Sequence, residues 1–308
     1  MGREGNRNRV FTRANLSSSL PSLVGLTGES FRAVSRSKRA VAMRSSNGLS
    51  IDSLAVATQK SGPTSWELSR LQARTGAEET VGELINAVCQ AVYARGAMQL
   101  AARTLMSDPL GDELRQAGLF PSRGETLFLG AGTGKPKDLP AGVRPSTPAD
   151  EHGLFRLYSA CTPSEVRALE GMTLDQWAAS RWAAPQWPAF GGGLSGRVSE
   201  YVLETGPQNM GLVGWLRVVR RFAAADIAVM LHPERSLDDA TALLGFGLSS
   251  ISAGKAVNLL VPEYETAVRS AAEDAGLTIE AELQVHVRAA RATEKILKEV
   301  GAYNVVSP

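Results

Sequence analysis

QNMGLVGWLRVVRRFAAADIAVML, residues 208–231, is the stretch on which the reading of the fold turns. Met210, Leu212, Val213, Trp215, Leu216, Val218, Val219, Phe222, Ile227, Val229 and Met230 make it unusually apolar, and Arg217, Arg220, Arg221 and Asp226 interrupt it. Those charges argue against a bilayer segment and for a buried core helix. On a helix Arg217, Arg220 and Arg221, spaced i, i+3 and i+4, share one face. Such a face either lines a phosphate-binding groove or forms the wet side of a core helix with glutamate partners.

Outward from this stretch the chain reads mainly as helices. Thr75 with Glu78 makes a capping box at the start of a helix running to about Met106, with Val81, Leu84, Ile85, Val88 and Val92 forming its apolar stripe and Gly96 marking a bend. Leu110 to Ala117 is a short helix stopped by Gly118. Thr126 to Leu129 is a short strand. Residues 130–150 hold eight Gly or Pro in twenty-one positions, which marks a loop and a domain boundary. Thr162-Pro163-Ser164-Glu165, Thr173 with Gln176, and Ser236 with Asp239 start further helices. Toward the C-terminus, Ala256 to Val261 is a strand and Glu263 to Ala275 a helix. Thr278 to Val287 alternates apolar and polar residues as a strand with one wet face, Ala289 to Val300 is a helix, and Tyr303 to Val306 is a last strand. The expected fold is therefore α+β: a helix-rich body, a basic, extended N-terminal arm and a small C-terminal β-α-β-α-β layer, with no internal repeat. The expected divisions are an arm over residues 1–50, helical domains over 51–129 and 151–254 separated by the 130–150 linker, and a small α/β unit over 255–308.

Composition sets outer bounds. The chain has 308 residues, 44% hydrophobic and 21% charged, enough for two ordinary domains and unlike collagen or a fully disordered chain. Two cysteines, Cys89 and Cys161, cannot build a disulfide framework. No uncharged apolar run of membrane-spanning length exists. The net charge of +2 hides an asymmetry. Residues 1–50 carry Arg3, Arg7, Arg9, Arg13, Arg32, Arg36, Lys38, Arg39 and Arg44 against only Glu4 and Glu29. A serine-rich basic arm with few large apolar residues neutralises RNA or DNA phosphates, resembles an organelle transit peptide processed near residue 42, or is a solvated tail.

Few chemistries find a complete set of residues. Gly130-Ala131-Gly132-Thr133-Gly134-Lys135 resembles a phosphate-binding loop, but Leu129 and Pro136 stand where a glycine and a Ser/Thr belong, and no helix follows. His152, His232 and His286 stand apart, without further ligands at metal spacing. Cys89 reads as a small core residue, and Cys161 precedes a helix start with no base beside it. Among the acid pairs, Glu78-Glu79 and Asp238-Asp239 suit first helical turns, and Glu273-Asp274 a solvated face. Trp177, Trp182, Trp187 and Phe190, near Arg181, form a core edge, anchor a subunit interface or stack unpaired bases.

Without a catalytic set, metal or cofactor, the residues point more to a non-enzymatic, self-associating nucleic-acid-binding protein of coat or nucleocapsid type. Its RNA contacts would be the basic arm with Arg217, Arg220 and Arg221, and it would lie in the cytoplasm or in a particle. The alternative is an organelle-imported enzyme or assembly factor from which residues 1–42 are removed. A third reading is a phosphate-ligand enzyme using residues 130–135.

Overall fold

The computed structural model of the chain describes residues 9–11, 39–47, 50–61, 64–74, 76, 79–135, 138–182, 197–204, 211–222 and 224–289. The chain forms two compact units, residues 1–12, 21–122 and 285–308 in the first, and 13–20 and 123–284 in the second.

In the first unit β1 (Ala40–Asn47), β2 (Ser50–Ser61) and β3 (Ser65–Ala73) form an antiparallel meander, with Val41 opposite Ala57 and Ala55 opposite Leu71. Helix α1 (Glu79–Tyr93) follows. Its predicted stripe is buried, Val81, Leu84, Ile85, Val88, Cys89 and Val92 packing with Trp66, Leu68, Leu71 and Leu100. The predicted helix was to continue to Met106, but it ends at Tyr93. Gly96, at φ +85°, takes the left-handed conformation that reverses the chain. Residues beyond it form β4 (Gln99–Leu105), parallel to β3, and α2 (Leu110–Gln116) comes next. The strand order here is β1-β2-β3-β4-β11, where β11 is Thr278–Ala289.

The second unit holds β5 (Phe120–Ala131), β6 (Val143–Pro145), α3 (Glu151–Cys161), α4 (Ser164–Glu170), α5 (Leu174–Trp182), β7 (Arg197–Glu204), β8 (Leu212–Arg220) and β9 (Ala224–Leu231). Then come α6 (Leu237–Ser249), β10 (Ala256–Pro262), α7 (Thr266–Asp274) and β11. Its strand order is β11-β5-β10-β9-β8-β7-β6; β10 is parallel to β9 and antiparallel to β5. β5 and β11 straddle the division between the units.

The expected helix-rich body is thus corrected: among the described residues the chain is a mixed sheet of eleven strands with a few helices. The decisive error lies in residues 208–231, where Leu212–Arg220 and Ala224–Leu231 are paired strands, with Trp215 opposite Met230 and Leu216 opposite Val229. Both faces of β8 are covered. Leu216 and Val218 pack with Leu243, Leu244 and Phe246 of α6, while Trp215 packs with Leu154 and Leu157 of α3. A strand buried on both faces loses the period-2 pattern, so its apolar run is indistinguishable from that of a buried helix. The small C-terminal layer is likewise no separate layer, because β10 and β11 are strands of this sheet. The expected elements over 289–300 and 303–306 lie outside the described residues.

No repeat is visible in the residues, yet the elements repeat. The series β3-α1-β4-α2-β5 begins at residues 65, 79, 99, 110 and 120; the series β9-α6-β10-α7-β11 begins at 224, 237, 256, 266 and 278, offsets of 156 to 159. In each series a strand, a helix and a second strand parallel to the first are followed by a helix and a further strand.

Candidate active site

The parallel pair in the second unit does not stay together. The β9–β10 ladder runs from Ala224/Ala256 to Ile227/Leu259 and stops, although β9 continues to Leu231 and β10 to Pro262. Beyond that point each strand keeps its other neighbour, Leu231 opposite Gly214 on β8 and Pro262 opposite Glu125 on β5. The strands therefore part and open a gap within the sheet. Their joined end is pinned by polar side chains: Asn258 donates to Asp226 at 3.0 Å, and Arg221 pairs with Asp226 at 2.6 Å.

Backbone groups face this gap. The His232 N–H donates to the Val213 carbonyl, so by alternation Leu231 and Val229 turn their N–H and C=O groups away from β8. The Leu231 N–H donates to Glu265 Oε2 at 3.4 Å, and its carbonyl accepts from the Cys161 thiol at 3.2 Å. Glu265 is the N-cap residue of α7, yet its carboxylate does not cap that helix; it turns in toward β9 and is 6% exposed. Burial pushes its pKa up to about 8, with the Leu231 N–H pulling the other way. The Cys161 thiol is also raised, first by burial and then by the nearby Glu265 carboxylate.

Beside Glu265, Tyr264 is raised by burial, opposed by Arg123 and by a hydrogen bond with Thr162. Arg123 is itself almost fully enclosed. Its Nε donates to Glu125 Oε1 at 2.9 Å, it also pairs with Glu170, and Glu170 accepts from the Tyr158 hydroxyl at 2.9 Å. A buried guanidinium held by two carboxylates is expensive to assemble and rigid once made. A proton-accepting carboxyl near neutrality, a strand edge turned into the gap and a fixed cation thus meet at one end of the second unit.

Those residues singled out from the sequence that are described lie elsewhere or make other contacts. Arg217 and Arg220 do not share a face, because residues of opposite parity on a strand point to opposite sides. Arg217 pairs with Glu200 at 3.5 Å, Arg220 donates to Ser199 and to the Ser250 carbonyl, and Arg221 holds Asp226. Arg9 pairs with Asp108 in the first unit, and Arg39 and Arg44 are exposed near and on β1. Arg3, Arg7, Arg13, Arg32, Arg36, Lys38, Trp187 and Phe190 lie outside the described residues, as does the side chain of Trp182. Trp177 is buried, 6.2 Å from Phe155 and 6.3 Å from Tyr158, within the cluster formed by α3 and α5.

The Gly130–Lys135 loop is a packing device. Its N–H groups are used internally, Gly132 to the Lys255 carbonyl, Thr133 to Leu248 and Gly134 to Ile251. A Cβ on Gly134, at φ +63°, would stand 2.5 Å from the Ala253 nitrogen. Cys89 is buried in the stripe of α1, and His286, expected on a wet face, is 4% exposed beside Gly111 of α2. Sequence reasoning missed Glu265, because nothing local separates it from the exposed Glu263 two residues earlier.

No protein-family model matches the chain, and no curated protein matches it. Solved structures do. A GCN5-related N-acetyltransferase from Sphaerobacter thermophilus is similar at a TM-score of 0.52 and 16% identity, over 82% of this chain and 81% of that one. The N-myristoyltransferase of Saccharomyces cerevisiae, with bound myristoyl-CoA, is similar at a TM-score of 0.50 and 10% identity, over 85% and 74%. The chain therefore has the fold of GCN5-related acetyltransferases. That finding overturns the coat or nucleocapsid reading, and with it RNA and self-assembly as the expected partners.

Proposed function

We propose that the chain is an acyltransferase that moves an acyl group from a phosphopantetheine thioester to an amine, with the chemistry in the second unit. The observation that carries this reading is the parting of β9 and β10 beside the buried Glu265 carboxyl. An extended donor arm with two amides pairs with a strand edge as another strand does, and Val229 turns its backbone groups to that edge, next to Leu231, which Glu265 and Cys161 hold. Both similar structures named above are acyltransferases, and one holds an acyl-CoA.

The fit is good for the arm and poor for a diphosphate. The start of α6 is closed by its own capping box, Ser236 accepting from the Asp239 N–H and Asp239 from the Ser236 N–H. Arg235 is drawn to Asp239 at 2.8 Å, and Asp238 adds a second negative charge. A helix start already capped and acidic does not attract an anion. The proposal therefore commits to the pantetheine arm, carried either by coenzyme A or by a carrier protein.

Glu265 supplies the proton acceptor. The amine nitrogen bonds to the thioester carbonyl carbon, the carbon–sulfur bond breaks, and the amine proton passes to the carboxylate while the sulfur leaves as thiol or thiolate. A carboxylate whose conjugate acid has a pKa of about 8 accepts the proton that the attacking amine nitrogen sheds as it bonds to carbon far better than an ordinary one, but only once ionised. Turnover is expected to rise with pH through about 8.

The test offers the same acyl group on coenzyme A and on an acyl carrier protein, with peptide amines as acceptors, and reads free thiol and acylated amine. Transfer from either donor supports the proposal, and which donor works identifies the carrier. Glu265→Gln should reduce the rate by roughly 10²–10⁴-fold and flatten the pH profile. The absence of both binding and transfer with each donor would sink the reading.

A further inference from the structure

The corresponding pair in the first unit also parts. The β3–β4 ladder covers Ser65/Gln99 to Glu67/Ala101, after which β3 runs on to Ala73 and β4 to Leu105. Here the space between the diverging strands is filled by the chain itself. The Arg9 N–H donates to the Leu71 carbonyl on β3 at 2.9 Å, and the Phe11 N–H donates to the Arg103 carbonyl on β4 at 2.8 Å. Val10, between them, is fully buried in the core of α1, Trp66, Leu68 and Leu100.

Side chains complete the seat. The Arg9 guanidinium lies 2.5 Å from Asp108 and 3.6 Å from Glu113, at the turn before α2 and within it. Asp108 is held in place because it also accepts from the Leu110 N–H at 2.9 Å. Below the segment, Arg103 is 1% exposed, pairs with Glu67 at 3.0 Å and donates to the Phe11 carbonyl at 3.3 Å. A buried guanidinium needs acceptors on every side, so the Phe11 carbonyl satisfies part of a demand that the fold itself creates.

We infer that the parted end of β3 and β4 is a peptide-binding groove, which the chain occupies in cis with Arg9-Val10-Phe11. Its ligand is an extended peptide in which a cation meets Asp108 and Glu113, a branched apolar residue enters the core, and the next carbonyl meets Arg103. Strand-edge amides and carbonyls supply affinity, and the side-chain seats supply specificity. The groove is independent of acyl transfer in the second unit. A tethered occupant competes at an effective concentration of about a millimolar, so the intact chain is self-blocked.

The experiment uses the full chain, a Val10→Asp variant of it and a chain lacking residues 1–12, with a fluorescein-labelled peptide of residues 5–15 as probe. In the full chain, hydrogen exchange should show the Arg9 and Phe11 amides as protected as those of β3 and β4. Both opened forms should bind the probe saturably, and the full chain at least roughly tenfold more weakly. A probe carrying Arg9→Glu should lose at least about tenfold in affinity, since it reverses a partly buried charge pair. Rapid exchange at Arg9 and Phe11, equal binding by all three chains, or no binding by an opened form that still melts cooperatively would each overturn the inference. Failure of both opened forms to fold would overturn it too, because the segment would then be fixed core and no exchangeable ligand.

Discussion

Burying the Glu265 carboxyl raises its pKa from the ordinary 4.5 to about 8, so over that interval the folded chain holds a proton that the unfolded chain has released. A raised acid stabilises the fold below its unfolded pKa and loses that contribution as pH climbs through the folded one. Wild type should therefore become less stable between about pH 5 and 8, while Glu265→Gln melts alike across that range; parallel curves for the two proteins would refute the assignment. The thiols follow the same logic. Burial raises both Cys89 and Cys161, so neither should react with a maleimide in the native chain at neutral pH, and both should in denaturant. Trp177 belongs to packing: Trp177→Ala should cost about 3–5 kcal/mol in denaturant titration, and a loss under about 1 kcal/mol would mean the ring is not core.

At the scale of elements, the two ways of burying a chain segment leave different traces. Helix α6 announces itself through Ser236 and Asp239, whose reciprocal bonds the structure contains. Ser236→Ala should cost about 0.5–2 kcal/mol by denaturant titration, the ordinary worth of an N-cap. Strand β8 leaves no such trace, yet it carries more energy. Leu216, fully buried against α6, should cost about 2–5 kcal/mol when cut to alanine. The Ser236 signal, the stripe of α1 and a helix close to α7 were legible because capping and amphipathic spacing are properties of adjacent residues, whereas the expected Thr75–Glu78 capping box lies outside the described residues. The strand nature of 99–105 and 212–231 was not legible, because 99–105 and 212–220 are covered on both faces and lose the period-2 pattern, and Gly96 looks locally like a bend.

Across the whole molecule, one order of elements occurs twice and the two copies have diverged in use. The gap between β9 and β10 is bordered by Glu265, whereas that between β3 and β4 holds residues 9–11. A phosphopantetheine donor should accordingly bind once per chain in native mass spectrometry. Two per chain would mean that residues 9–11 do not close the first unit, and none would remove the donor reading. The division also explains why the arm misled. Its cations are visible as composition, but Arg9 is tied to Asp108, ninety-nine residues away in the chain.

The amino-acid sequence by itself determined where α6 starts, which residues of α1 face a core, that no helix among the described residues is long and apolar enough to cross a membrane, and that residues 130–135 lack the surroundings of a phosphate loop. Only the tertiary structure decided that the apolar runs are strands, how they are ordered, where two parallel pairs part, and that Glu265 is buried while Glu263 is not. Caps, breaks and stripes arise from neighbours within a few positions. Strand partners and desolvation arise from residues far apart in the chain, and no local pattern encodes them.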